Sequence, residues 1–107
     1  MIEWSGETLV IHGDLDGPAA TALAAQLRQL AGSGPTLRID LGELELDDGV
    51  AVAEMVNGLR ALQRRWPALV LVEAPQMLAH TLYKVGMLDG ERYQLIRPRD
   101  DEGTTAN

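Results

Sequence analysis

The sequence predicts a single α/β domain, a mostly parallel mixed sheet of about five strands carrying three main helices. Three observations lead there. Strand-like segments alternate along the chain with segments whose apolar residues recur every three or four positions, the mark of βα units sharing one sheet. The run Leu69-Val70-Leu71-Val72 is continuously apolar, as expected of a strand covered on both faces. A chain of 107 residues supports one hydrophobic core and little else.

Taken in order, Ile2-Glu3-Trp4 and Thr8-Leu9-Val10-Ile11-His12 read as two short strands around a tight turn at Gly6-Glu7. Gly13 to Pro18 is a turn leading into the first helix, with Asp16 as N-cap and Pro18 in the first turn, where its missing N–H costs nothing. Ala20, Leu23, Leu27 and Leu30 form that helix's apolar face, and Gly32-Ser33-Gly34-Pro35 ends it. Thr36 to Leu41 alternates as a strand, and Leu44 and Leu46 extend an apolar edge beyond a turn at Gly42. Asp47-Asp48-Gly49 opens a second helix, since carboxylates there accept its free N–H groups and complement its dipole. Val52, Met55, Val56, Leu59 and Leu62 make its buried stripe, Arg60, Arg64 and Arg65 cluster near its end, and Pro67 stops it. After the Leu69–Val72 strand, Ala74-Pro75 starts a third helix bearing Leu78, Leu82 and Val85, closed by Gly86. Arg92 to Ile96 is the last strand. Residues 1–96 therefore form the domain, and 97–107 read as a flexible polar tail.

Composition narrows the function. An apolar fraction of 46% is that of a globular protein. With no Phe, two Trp and two Tyr, the chain has few aromatic platforms for bases or sugars. Without cysteine there is no disulfide, no Cys-based zinc site and no thiol catalysis. Nine basic against sixteen acidic residues leave a net charge of −7, which repels phosphate backbones and anionic headgroups. Nucleic acid is thus excluded as a direct ligand. No apolar run approaches the roughly 18–20 residues of a membrane span, so no membrane insertion is expected. The N-terminus shows no secretory signal, which makes cytoplasmic the expected location.

Chemistry is sparse. Glu43, Glu45, Asp47 and Asp48 lack the ligand and glycine spacing of a calcium loop, so no metal is expected. His12 and His80 have no Ser or Cys nucleophile beside them and read as ordinary surface or strand-end residues. Gly32-Ser33-Gly34 lacks the Gly-Lys-Ser/Thr ending of a phosphate loop. No catalytic set and no cofactor are expected, and the Arg60/Arg64/Arg65 group reads as a solvated helix end.

Several of these segments together resemble the STAS domain, named for sulfate transporters and anti-sigma-factor antagonists. Gly13-Asp14-Leu15-Asp16 with Ala19, Ala20 and Leu23 resembles the family's Gly-x-Leu-Asp opening of its first helix. Leu37-Arg38-Ile39-Asp40-Leu41 resembles its central strand, and Asp47-Asp48-Gly49-Val50 lies where the family carries Asp-Ser-Ser-Gly or Asp-Thr-Gly-Gly. Leu69 to Glu73, the helix after Pro75, and Val85-Gly86-Met87-Leu88 resemble the remaining strand, helix and exit. The resemblance covers residues 1–96 and implies the antagonist-like fold. The antagonists' fourth, C-terminal helix is expected to be missing, because the chain continues as Arg97-Pro98-Arg99-Asp100-Asp101-Glu102 and a polar tail. That ending is similar to the MlaB-type STAS subunit of phospholipid-transport ABC systems. So are Trp4 with Gly6 to Leu9 and Thr81-Leu82-Tyr83-Lys84.

The resemblance implies a non-enzymatic protein-interaction module with two partners in view. One reading is an anti-sigma-factor-antagonist-like regulator of an anti-sigma or kinase-like protein. The other is an accessory subunit on an ABC-transporter ATPase. In the antagonists a Ser or Thr at the second-helix start is phosphorylated; here the equivalent falls at Asp47, Asp48 or Gly49. Positions 37 to 80 contain no Ser, Thr or Tyr, so no phosphorylation is expected in any register. The expected partner site is Asp47, Asp48, Gly49 and Val50 with the outer face of the second helix: Ala51, Glu54, Asn57, Gly58 and Ala61. Small side chains there would let a partner backbone approach, and Gly58 would be explained by such an approach or by tight internal packing.

Overall fold

A computed structural model of the chain describes residues 1–86 and 93–96. Ten elements follow in order: β1 (Ile2–Ser5), β2 (Thr8–Ile11), β3 (Gly13–Leu15), α1 (Gly17–Arg28), β4 (Thr36–Asp40), β5 (Leu44–Leu46), α2 (Gly49–Leu62), β6 (Ala68–Val72), α3 (Gln76–Lys84) and β7 (Tyr93–Ile96). The expected α/β fold with a five-stranded, mostly parallel sheet and three helices is present. The expected tail over 97–107, with the missing fourth helix, lies outside the described residues, as do Met87, Leu88 and Arg92 of the predicted exit and last strand.

The main sheet has the order β1-β2-β4-β6-β7. β1 and β2 are an antiparallel hairpin with Ser5 opposite Thr8, and the two-residue loop begins at Gly6 with φ 62°. That positive φ is what a right-twisted hairpin turn asks of its first central residue, and glycine adopts it without strain. All other pairings in this sheet are parallel. Each crossover steps to the neighbouring strand in the same direction, so right-handed connections stack all three helices on one face.

Burial follows from that. Leu9, Ile11, Leu37, Ile39, Leu69 and Leu71 point into the core beneath the helices. Their neighbours on the opposite face, Val10, Arg38 and Val70, are half-buried or exposed. The second face of the apolar β6 run is covered only in part: Val70 there is half-buried, whereas Val72 is buried. Val85 also differs from expectation. It stands just past the last turn of α3 and is 49% exposed.

A second, two-stranded sheet is absent from the sequence reading. β3 pairs in parallel with β5, placing Asp14 opposite Glu45 and Leu15 opposite Leu46. Three-residue strands are too short to show alternation. Their pairing sets α1 and α2 side by side and pointing the same way. The two helices pack closely, with Ala20, Leu23, Ala24 and Leu27 of α1 buried beside the Val52, Met55, Val56 and Leu59 stripe of α2.

Candidate functional site: the start of the second helix

Two aspartates cap the parallel helices in the same way. Asp16 Oδ1 accepts from Ala19 N at 2.9 Å, and Asp48 Oδ1 accepts from Ala51 N at 2.9 Å. Both occupy N-cap positions and bond to the third helical residue, satisfying one of the donors each helix start leaves free. Between them the β3/β5 ladder continues as Asp47 N donates to Leu15 O at 2.8 Å. A Leu followed by an Asp-Gly helix start occurs twice, as Leu15-Asp16-Gly17 and, with one more Asp, as Leu46-Asp47-Asp48-Gly49, and the fold lays the two segments next to each other.

Four carboxylates meet at this edge. The Asp47 carboxyl is pushed up to about 6, chiefly by a hydrogen bond with Asp14. Desolvation and the negative charges of Asp14, Asp16 and Asp48 add to the shift. Neighbouring negative charges make a further one harder to place, so Asp47 takes up a proton more readily than an isolated aspartate. Asp14 and Asp16 are the residues sequence reasoning left out of the site. The Asp-Gly helix start shared by Asp16-Gly17 and Asp48-Gly49 was the signal that could have included Asp16, while nothing in the local sequence marked Asp14.

Of the expected site residues, Asp47, Asp48, Gly49 and Val50 lie together on the surface. Nothing stands within 4 Å of where a side chain on Gly49 would begin. Val50 is 60% exposed, and its Cγ1 lies 3.0 Å from where a Cβ on Gly17 would stand, so the two helix starts touch through it. Glu54 and Ala61 are half-buried and Asn57 is exposed, continuing this face along α2.

Ala51 and Gly58 are not on it. Both are buried. A Cβ on Gly58 would stand 2.8 Å from Leu27 Cδ1 and 3.5 Å from Ala24 Cα. The glycine serves the packing of α2 on α1, and a partner does not reach it in this fold. The helical wheel did not reveal this because it cannot say that α1 sits beside α2.

The chemistry here is that of an anionic surface with an apolar contact point. Among the described residues no group of three or more His, Cys, Asp or Glu is arranged to hold a metal ion. His12 is engaged by Glu3 at 2.7 Å, and His80 is exposed on α3. Among the described residues no helix is long and apolar enough to cross a membrane.

A family model described as the MlaB STAS domain matches residues 1–97. No curated protein matches the sequence. Of the two partner readings drawn from the sequence, the matched family stands nearer the transporter-subunit reading than the antagonist one. The parallel core with its one-sided helices, the Asp-capped start of α2 and this match over nearly the whole chain agree: the chain belongs to the MlaB-type STAS-domain family.

Proposed function

We propose that this chain is a non-enzymatic accessory subunit that seats on the ATPase of a lipid-transport ABC system through the start and exposed face of α2. The observation that carries the reading is Val50, an apolar side chain 60% exposed at a helix start, beside the carboxylates of Asp47 and Asp48. An isolated exposed valine is ordinary. One flanked by open space over Gly49 and by charge that a basic partner would read offers both grip and orientation. The family match supports a transporter partner over an anti-sigma or kinase-like one. With no hydroxyl between positions 37 and 80, association is controlled at this site without phosphorylation.

The test is co-purification of the chain with the ATPase of its transporter. Val50→Arg, which changes an exposed position, should melt like wild type and lose the ATPase. Wild-type retention of the ATPase by a folded Val50→Arg variant would overturn the assignment of the site. Retention of an anti-sigma kinase in place of the ATPase would overturn the assignment of the partner.

A further inference from the structure

The far ends of α1 and α2 carry a surface of opposite sign. Because the two helices follow the parallel β3/β5 pair and run in the same direction, their last turns come together. There an open groove of about 550 Å³ is lined by Arg28 of α1 and by Asn57, Arg60, Ala61, Arg64 and Arg65. Four of the chain's nine basic residues thus line one groove of a protein with net charge −7. Among the described residues no carboxylate lines it. The side-chain ion pair of His12 with Glu3 lies elsewhere, at the first hairpin.

Helix ends attract cations, but that accounts for only part of this charge. Each C-terminus carries about −0.5 charge, so two ends offset roughly one of the four arginines. Arg65 is used separately. Its Nη2 donates to Leu27 O at 2.9 Å and its guanidinium lies 5.5 Å from the centre of the Trp66 ring, tying the end of α2 to that of α1. Arg28, Arg60 and Arg64 remain, all exposed. Arg60 lies in the last turn of α2 and Arg64 just past the helix end, with Asn57 about a turn before Arg60. Half-buried Ala61 leaves the space between them low.

We propose that this groove docks a carboxylate-rich polypeptide segment of a partner protein. Charge complementarity selects that occupant, and the groove's openness selects a segment over a small anion. An exposed ion pair raises affinity only about 1.5- to 5-fold, so a single phosphate would gain little here. A run of Asp or Glu along the groove engages three arginines at once, for a gain of up to about a hundredfold. An anionic membrane is disfavoured because its broad negative plane would also meet the acidic remainder of the molecule. A narrow segment meets the groove alone. The inference does not depend on which protein binds the start of α2.

The experiment uses fluorescein-labelled octaglutamate and fluorescence anisotropy. The full chain should bind the peptide at 50 mM NaCl and release it as salt rises to 300 mM, because the Debye length then shortens from about 14 Å to about 6 Å and exposed pairs are screened. Arg60→Gln with Arg64→Gln should weaken binding about 2- to 25-fold while the melting curve stays that of wild type. Arg38→Gln, an exposed arginine on the open sheet face, should bind like wild type. Absence of peptide binding at 50 mM NaCl would overturn the proposal. So would equal binding by the folded double variant, equal loss in Arg38→Gln, or binding of phosphatidylglycerol vesicles or inorganic phosphate without binding of the peptide. None of these variants touches Val50, so failure here leaves the ATPase reading intact.

Discussion

Within a helix, alanine is favoured over glycine by about 1 kcal/mol, so an unconstrained Gly58→Ala change would stabilise α2. Gly58 is not unconstrained. The new Cβ would stand 2.8 Å from Leu27 Cδ1, and Leu27 is fully buried, so it has no route into solvent. Forcing an extra methyl into a packed core costs about 1–3 kcal/mol. The expected net effect is a loss of roughly 0–2 kcal/mol, the difference between that strain and the propensity gain. Leu27→Ala removes the obstacle and itself costs about 2–5 kcal/mol through the cavity it leaves. In that background only ordinary contacts to Ala24, at 3.5 and 3.6 Å, face the new methyl. There Gly58→Ala should recover about 1 kcal/mol, reversing its sign. The cycle of two single variants and the double variant, followed by urea denaturation, should show a coupling of about 1–3 kcal/mol. In thermal melts each kcal/mol corresponds to about 4 °C for a chain of this size. Stabilisation by Gly58→Ala in the wild-type background, or the same response in both backgrounds, would refute the close approach of α1 and α2.

Three further outcomes are expected. Asp48→Ala should cost about 0.5–2 kcal/mol in denaturant titrations, whereas Asp48→Asn keeps an oxygen for Ala51 N and should cost less; equal losses would mean the cap is not the cause. Asp47 is protonated more readily in the folded chain than in the unfolded one, so the stability it lends is present at acid pH and is lost as pH rises from about 3.8 through about 6. Asp47→Asn should therefore flatten the melting temperature across that window and raise it at pH 7, and an unchanged pH profile would deny that Asp47 binds its proton more tightly in the folded chain. Glu73 holds a φ of 55° just after β6, a conformation that costs a side-chain-bearing residue roughly 1–2 kcal/mol, so Glu73→Gly should leave the melting temperature unchanged or raise it.

Much of the fold was legible because its signals are local. A cap needs only its own helix start, which is why Asp16 and Asp48 were both readable as helix openings before any contact was known. The three-and-four spacing of Val52, Met55, Val56, Leu59 and Leu62 marked a buried stripe, and the structure buries all five. The hairpin turn at Gly6 and the hydroxyl-free stretch from 37 to 80 are likewise properties of contiguous residues. Tertiary structure alone decided which elements became neighbours. The pairing of β3 with β5 brings Asp14 to Asp47, residues 33 positions apart, and sets α1 against α2 so that Gly58 is covered while Val50 stays exposed. The same parallel alignment carries Arg28 to Arg60 and Arg64 at the opposite end. Periodicity reports that a helix has an inner and an outer face, but a stripe of small residues fits a neighbouring helix as well as a partner protein. Only long-range packing, in which β-pairing fixes where the helices run, separates the two.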